Sequence, residues 1–393
     1  MEGARLSPEA CDVNNFILSL QNLSIDYTVG AGTFHAVRGV SFDMSPGRVM
    51  GIVGETGCGK STLAHAIPRL LPEPPAEIIS GSIILRGVDL LQVPKWKLPM
   101  IRGTGIGMIF QEPINSLNPA YRVYDQLAEA VRIRWLRQFG RRPGDSLGLD
   151  PFDYSKPNLA KATDVLAHVI VPSAPSGRVG RRVRVDNDEL RAEVLDYLRL
   201  VRINDPETIL QLFPHELSGG MRQRIMIAMA LIGKPTLLIA DEPTSALDIT
   251  IQAQVLTLMK ELMEEVKTSI LFISHDLGVI AEMADEVGVM YAGSLVEIGP
   301  VSEVFEAPRH PYTKALLRSA PSKYKDDGPL PSLPGSVPNL SVLPSGCPFH
   351  PRCALAHDMC RQGSRPSLAP PKDAPLSPHR AACYFSEEVA SLP

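Results

Sequence analysis

VMGIVGETGCGKSTLAHAI, Val49 to Ile67, decides how the rest of the chain is read. The apolar run Val49–Val53 ends at GETGCGKS, Gly54 to Ser61, and the chain continues with the helix-forming TLAHAI. Strand, glycine-rich turn and helix start in that order satisfy G-x-x-x-x-G-K-[ST], a cradle for nucleotide phosphates. Glycines at 54, 57 and 59 let the backbone wrap closely, so that its N–H groups converge on the phosphates. The helix start adds a favourable dipole for an anion. Lys60 supplies a point charge to the β- and γ-oxygens, and Ser61 a hydroxyl to Mg²⁺. Candidate nucleotide ligands are therefore Gly54, Glu55, Thr56, Gly57, Cys58, Gly59, Lys60, Ser61 and Thr62, with Cys58 acting through its backbone N–H while its side chain merely fits.

The complement of such a loop is an acid at the end of a neighbouring strand. LLIADEP provides it: the buried run Leu237–Ala240 leads directly into Asp241 and Glu242. In open α/β sheets the chemistry lies beyond the carboxyl ends of the strands. Asp241 is placed to hold Mg²⁺, through water, and Glu242 to activate the attacking water as general base.

Outward from these two motifs, short apolar runs predict further buried strands at Gly105–Phe110, Ile270–Ile273 and Val287–Tyr291. Helical stretches are predicted at Lys60–Leu71, Gly220–Leu231, Ile251–Val266 and Gly278–Ala284. Their alternation gives a largely parallel sheet with both faces covered. Phe16–Phe42 alternates around the turn GAGT and reads as antiparallel strands beside that core. Arg134–Glu189 breaks the pattern: it holds five prolines, and Arg132 to Arg184 carries nine Arg and two Lys against four Asp. Such a charge run reads as a solvated surface insertion or as a contact with anionic lipid or a partner subunit.

Composition limits the function classes. The 393 residues are 44% hydrophobic and carry a net charge of −4, so there is a core to bury and no basic excess to suggest nucleic acid. The longest apolar run, Ile225 to Ala240, is interrupted by Gly233, Lys234 and Pro235, short of a membrane span. The N-terminus lacks the apolar region of a secretory signal. A chain of this kind serves a membrane only by docking onto other subunits.

LSGGMRQR, Leu217 to Arg224, makes the reading specific. It resembles the signature motif of the ABC ATPases, in which Ser218, Gly219 and Gly220 open a second phosphate-binding helix. The resemblance implies that they cap the γ-phosphate held by a partner, two ATPs lying between two such domains. The remaining motifs occur in order. Tyr27 resembles the aromatic that stacks on adenine, and Gln111 in FQEP the Q-loop glutamine that touches Mg²⁺ and its water. Asp248, in SALD, falls in the D-loop, and His275, in ISHD, matches the switch histidine that binds the γ-phosphate. FPHELSGGM, IADEPTSALDITIQAQ, HPYTKALL, LPGSVPNL and CPFHPRC extend the likeness to the oligopeptide/dipeptide importer ATPases, D-type subunit, from about Asn15 to Phe385. It departs at Arg134–Glu189, where these subunits have a shorter helical connection.

The resemblance implies an α/β fold with a P-loop NTPase core, an antiparallel β subdomain, a helical subdomain and a Cys-rich C-terminal extension. Residues 15–133 and 233–305 would form the core, 134–232 the helical subdomain with the basic insertion, and 306–393 the extension. The implied function is ATP-binding and ATP-hydrolysing subunit of a di/oligopeptide importer. Alternatives are import of another solute by the same family (a sugar oligomer, nickel) or a soluble ABC ATPase outside transport. The implied partners are a second, homologous ATPase in a heterodimer, two permease subunits and an extracytoplasmic binding protein, with the chain peripheral on the cytoplasmic face of the inner membrane.

From Pro321 onward the chain holds 14 of its 36 prolines and little periodic hydrophobicity, as a linker would. Yet four of the six cysteines lie there: Cys347, Cys353, Cys360 and Cys383, spaced C-x5-C-x6-C-x22-C. In a reducing compartment such a group reads as metal ligation rather than disulfides. The spacing is looser than that of structural zinc and suits a [4Fe–4S] cluster, which the family resemblance also implies. Zn²⁺ and four reduced thiols are the alternatives, and Cys11 and Cys58 stand outside the group.

Overall fold

The runs Val49–Val53, Leu237–Asp241 and Ser269–Ser274 do fold as neighbouring parallel strands, β3, β7 and β8 of a seven-stranded sheet ordered β11-β10-β9-β3-β8-β7-β6. The structure is a computed structural model that describes residues 16–30, 32–111, 116–139, 187–245, 247–319, 333 and 335–392. The remaining strands are β6 (Ile106–Ile109), β9 (Glu286–Tyr291), β10 (Ser294–Pro300) and β11 (Arg380–Ala381). Side chains alternate between two apolar clusters, as strands buried on both faces require. Val49, Val53, Leu238, Ala240, Ile270 and Phe272 pack into one, Met50, Ile52, Leu237, Ile239, Leu271 and Ile273 into the other.

The second cluster is closed by an antiparallel sheet ordered β2-β1-β4-β5. The predicted hairpin is there as β1 (Leu18–Val29) and β2 (Gly32–Met44), but β4 (Ala76–Leu85) and β5 (Val88–Asp89) were not anticipated. AEIISGSIIL lacks alternation where Ser80, Gly81 and Ser82 interrupt it, and its pairing with β1 shifts register there. At Gly81, with φ near 102°, a β-carbon would come within 2.6 Å of the Gln21 carbonyl oxygen. The helix after the phosphate loop is also shorter than predicted, Lys60–Ala66 rather than Lys60–Leu71. Pro68 has no N–H to continue the ladder, and Arg69 turns out at positive φ.

Helices Val123–Phe139, Asn187–Leu200 and Gly219–Ile232 pack on one another over the first cluster. The two ends of the segment Arg134–Glu189 lie in the first two of these helices. Arg134 is buried: it donates to the Tyr197 hydroxyl and to the Ile232 carbonyl, both at 3.0 Å, and pairs with Glu193. Trp135 donates to the same carboxylate at 2.7 Å. Both belong to the helical subdomain, and the helix crosses the 133/134 boundary drawn from sequence. Residues 140–186, which hold most of the basic segment, lie outside the described residues, as does Cys11.

The described part of the proline-rich tail, residues 335–392, is not a linker. It returns to the main sheet, where β11 pairs antiparallel with β10, Ala381 opposite Glu297. Glu297 is fully buried and accepts three hydrogen bonds, from the backbone N–H groups of Arg309 (2.6 Å) and His310 (3.0 Å) and from His379 Nε2 (2.7 Å). A buried carboxylate is tolerable when its oxygens are satisfied in this way.

His310 caps helix Pro311–Arg318, its Nδ1 accepting the Tyr312 N–H at 3.1 Å, and burial pushes its imidazole down to about 3. The unfolded chain, with an ordinary histidine near 6.5, therefore takes up the proton first. This contribution to stability is complete above about pH 6.5 and is lost as the pH falls from there towards the folded value. The denaturation midpoint should fall between pH 7 and pH 5, and less steeply in His310→Asn, which keeps a capping acceptor. Identical slopes for both proteins would contradict this role.

Candidate functional site

The phosphate loop leaves β3 where the backbone has no room for a side chain. A β-carbon on Gly54 would meet the Met290 carbonyl oxygen at 2.2 Å, and one on Gly59, at φ 103°, the Ala36 carbonyl oxygen at 2.2 Å. The loop is thus wedged between β9 and β2. Lys60 is buried and its ammonium donates to the carbonyls of Gly54 (2.7 Å) and Glu55 (3.1 Å) across the loop. Cys58 is fully buried, and burial raises its thiol, which keeps it neutral and supports the reading of a packing side chain.

Register brings the acids to this loop. β3 pairs with β8, Val53 opposite Ser274, and β8 with β7, Ile273 opposite Asp241, so three carboxyl ends lie side by side. Asp241 closes β7 itself instead of following it, and Ser61 Oγ donates to its Oδ1 at 3.1 Å. Burial raises the Asp241 carboxyl, an effect opposed by nearby His65, by the Ser61 hydrogen bond and by Lys60. A buried carboxylate beside a hydroxyl offers hard oxygen donors that a divalent cation would satisfy, which fits Mg²⁺.

Glu242, the next residue, has φ 46°, a left-handed backbone uncommon for a side chain of its size. Its N–H still bonds the Ile273 carbonyl at 2.9 Å, so the sheet holds it in that conformation. Its Oε2 receives Gln111 Nε2 at 3.1 Å and lies 3.2 Å from His275 Nδ1. Residues 111, 242 and 275, far apart in sequence, therefore share one carboxylate. Backbone strain of this kind concentrates where chemistry needs a fixed direction.

Ser218, Gly219, Gly220 and Asp248 form a separate group. Ser218 caps helix Gly219–Ile232, accepting the Met221 N–H at 3.3 Å, and Asp248 caps helix Ile249–Val266, accepting the Ile251 N–H at 3.0 Å. A β-carbon on Gly220 would lie 2.9 Å from the Ile251 side chain, which packs the two helix starts together. No hydrogen bond or ion pair joins this group to Lys60 or Ser61 among the described residues. Tyr27 lies near the end of β1, half-buried, opposite Phe34 and Ala76. Thr56 is exposed on the loop, and Thr62 lies within the helix that follows.

Sequence reasoning missed two sets of neighbours. His65 lies one helical turn beyond Ser61, its Nδ1 2.7 Å from the Ser61 carbonyl and 3.8 Å from Asp241 Oδ2. The i,i+4 spacing carried that signal. Arg352 reaches the loop from the C-terminal extension and grips Glu55 with both terminal nitrogens, at 2.8 and 3.0 Å. No local pattern announces it.

The four C-terminal cysteines lie in that same extension, Cys360 buried and Cys347, Cys353 and Cys383 partly buried. The Cys347 N–H bonds the Cys360 carbonyl at 2.9 Å. Burial pushes the Cys353 thiol up to about 11 and the Cys383 thiol up to about 12, and it raises Cys347 as well. Backbone N–H groups oppose this, Phe349 and His350 at Cys347, Leu355 at Cys353 and Phe385 at Cys383, while the thiols raise one another. Among the described residues, no three His, Cys, Asp or Glu side chains are placed to hold a metal ion. The thiols thus influence one another's charge without an assembled metal site among the described residues.

Comparison with known proteins bears on both regions. Residues 37–245 match the ABC transporter family, and residues 296–360 match the oligopeptide/dipeptide transporter C-terminal region. A probable peptide ABC transporter ATP-binding protein of Sinorhizobium fredii is 40% identical, covering 96% of this chain and 97% of its own. The dipeptide transport ATP-binding protein DppD of Bacillus subtilis is 39% identical over 95% of this chain and 96% of its own. The oligopeptide transport ATP-binding protein OppD of the same organism is 40% identical over 86% and 82%. Among solved structures, the ATP-binding cassette MJ0796, a dimer bound to ADP and Pi, shares the fold with a TM-score of 0.54 and 21% identity, over 72% of this chain and 98% of that one. The loop, the acids and the sheet order therefore sit in a known frame: the chain belongs to the ABC transporter ATP-binding proteins, in the group that carries the oligopeptide/dipeptide transporter C-terminal region.

Proposed function

We propose that this chain hydrolyses ATP to drive peptide import through partner permeases; its relatives are named as peptide, dipeptide and oligopeptide transport ATP-binding proteins. The observation that carries the reading is the meeting of Ser61 with Asp241 and of Gln111 and His275 with Glu242 at one end of the sheet. Lys60 and the loop N–H groups bind the β- and γ-phosphates, and Tyr27 stacks on adenine. Ser61, Asp241 and Gln111 are the residues that would hold Mg²⁺, which when bound would neutralise the charge developing on the phosphate oxygens. Glu242 takes the proton of the attacking water, and His275 orients that carboxylate and reaches the γ-phosphate.

The separation of Ser218, Gly219, Gly220 and Asp248 from Lys60 supports a composite site, in which this group caps ATP held by a second ATPase subunit. We assign that subunit to a homologous chain in a heterodimer, with two permeases gripped near Gln111 and an extracytoplasmic protein delivering the peptide. No helix among the described residues is long and apolar enough to cross a membrane. In this reading the chain works from the cytoplasmic face through those permeases. The same reading assigns Cys347, Cys353, Cys360 and Cys383 to a [4Fe–4S] cluster that staples the extension. Its support is the placing of four cysteines, Cys360 buried and the other three partly buried, close enough to raise one another's thiols, with backbone N–H groups beside three of them.

Glu242→Gln should keep ATP binding and slow single-turnover hydrolysis by ~10²–10⁴, whereas Lys60→Ala should lose binding. Near-normal turnover in Glu242→Gln would remove the base from Glu242. The isolated chain should hydrolyse ATP poorly, and addition of the partner ATPase and permeases should raise the rate steeply. Full activity in a dilute monomer would contradict the composite site. Anaerobically purified protein should be brown with about four irons per chain. Any one of the four Cys→Ser changes should bleach it while Cys58→Ser does not, and colourless protein with one zinc would overturn the cluster.

A further inference from the structure

Glu55 is held at three points. Its carbonyl accepts the Lys60 ammonium at 3.1 Å. Its N–H donates to the Tyr312 hydroxyl at 2.9 Å, and its carboxylate receives both terminal nitrogens of Arg352. Only the first tie comes from the loop. Tyr312 follows β10 by a dozen residues, and Arg352 lies between Cys347 and Cys353 in the extension.

The anchorage behind these ties is rigid. The Arg352 side chain is 4% exposed and lies 5.8 Å from the ring centroid of Tyr291 at the end of β9. Tyr291, Tyr312 and Phe349 are buried and form an aromatic triangle with centroid separations of 4.7, 5.2 and 5.4 Å. Phe349 stands three residues before Arg352 in the same short turn. The guanidinium is thus fixed by packing before it meets the carboxylate. A planar two-bond grip fixes direction as well as distance, which a single ammonium contact does not.

We infer that Arg352 is a positioning residue for the nucleotide site, bracing the phosphate loop through Glu55 so that ATP affinity depends on the C-terminal extension. The inference rests on the assignment of Gly54–Ser61 to the phosphates. Arg352 touches no reacting atom in this account. It restrains the residue whose neighbours, Gly54 and Lys60, set the curvature of the loop and the place of the ammonium. A loop held in its binding shape forgoes the ordering cost that a loose one meets on each binding event. The brace therefore acts on affinity and leaves the hydrolytic step to Glu242. Because Arg352 immediately precedes Cys353, whatever fixes that cysteine also fixes the brace.

The test uses the full-length chain for ATP·Mg²⁺ titrations and the assembled transporter for kinetics. Arg352→Ala and Glu55→Gln should each weaken ATP binding by about tenfold, and the double variant no further, because both remove one interaction. Arg352→Lys, which restores one contact of two, should fall between. In the assembled transporter Arg352→Ala should raise KM for ATP and leave kcat within about twofold, the mark of lost binding rather than lost chemistry. If Arg352→Ala fails to fold, Glu55→Gln decides alone, since its change lies on the loop and leaves the extension intact. ATP affinities within twofold of the parent in Glu55→Gln, with Lys60→Ala abolishing binding, would overturn the brace and keep the nucleotide site. Multiplying effects in the double variant would also overturn it. Unchanged binding in Lys60→Ala would overturn the nucleotide assignment and the brace together.

Discussion

The parallel pairing of β3, β8 and β7 is the constraint on which the rest depends. With Val53 opposite Ser274 and Ile273 opposite Asp241, the chain cannot form its core without delivering a glycine loop, a histidine and two acids to one edge. The alternation of these strands between two apolar clusters fixes the register, since a one-residue slip would exchange every side chain between faces. Apolar burial of about 25 cal/mol per Å² is what resists that slip. The geometry of this edge is in this sense a by-product of core packing, with the left-handed Glu242 held by the Ile273 bond.

The C-terminal extension completes that arrangement. It contributes β11 to the sheet, buries Glu297 against His379 and His310, and returns Phe349 and Arg352 to the phosphate loop. A tail poor in periodic hydrophobicity is thereby held by polar contacts that lie under aromatic cover. Glu297 accepts from two backbone amides and a histidine, an arrangement costly to break because it would leave a buried charge unsatisfied.

What was legible in the sequence follows from the range of the interactions. The loop, Asp241, Glu242 and the signature helix were readable because each needs residues at short, fixed spacing. β3, β7 and β8 were readable within a residue or so because fully buried strands are continuous apolar runs. β4 is hidden because Ser80, Gly81 and Ser82 interrupt its apolar pattern, and the helix after Lys60 stops short of its apolar run because Pro68 ends it. Arg134 was read as part of a charge run, yet its partners Glu193, Tyr197 and Ile232 bury it. Arg352 and Glu55 are separated by 297 positions and linked by two polar side chains, which leave no mark in hydrophobic periodicity.

The central claim is that the carboxyl edge of this sheet hydrolyses MgATP to move peptide. Phosphate release and peptide uptake, followed together in proteoliposomes containing this chain and the ATPase, permease and binding-protein partners proposed for it, test it most directly. The account predicts that peptide accelerates phosphate release, that uptake requires MgATP on the ATPase side, and that both signals disappear together when Glu242 of this chain is replaced by Gln. Peptide uptake that proceeds without nucleotide, or phosphate release that peptide leaves unchanged, would contradict it.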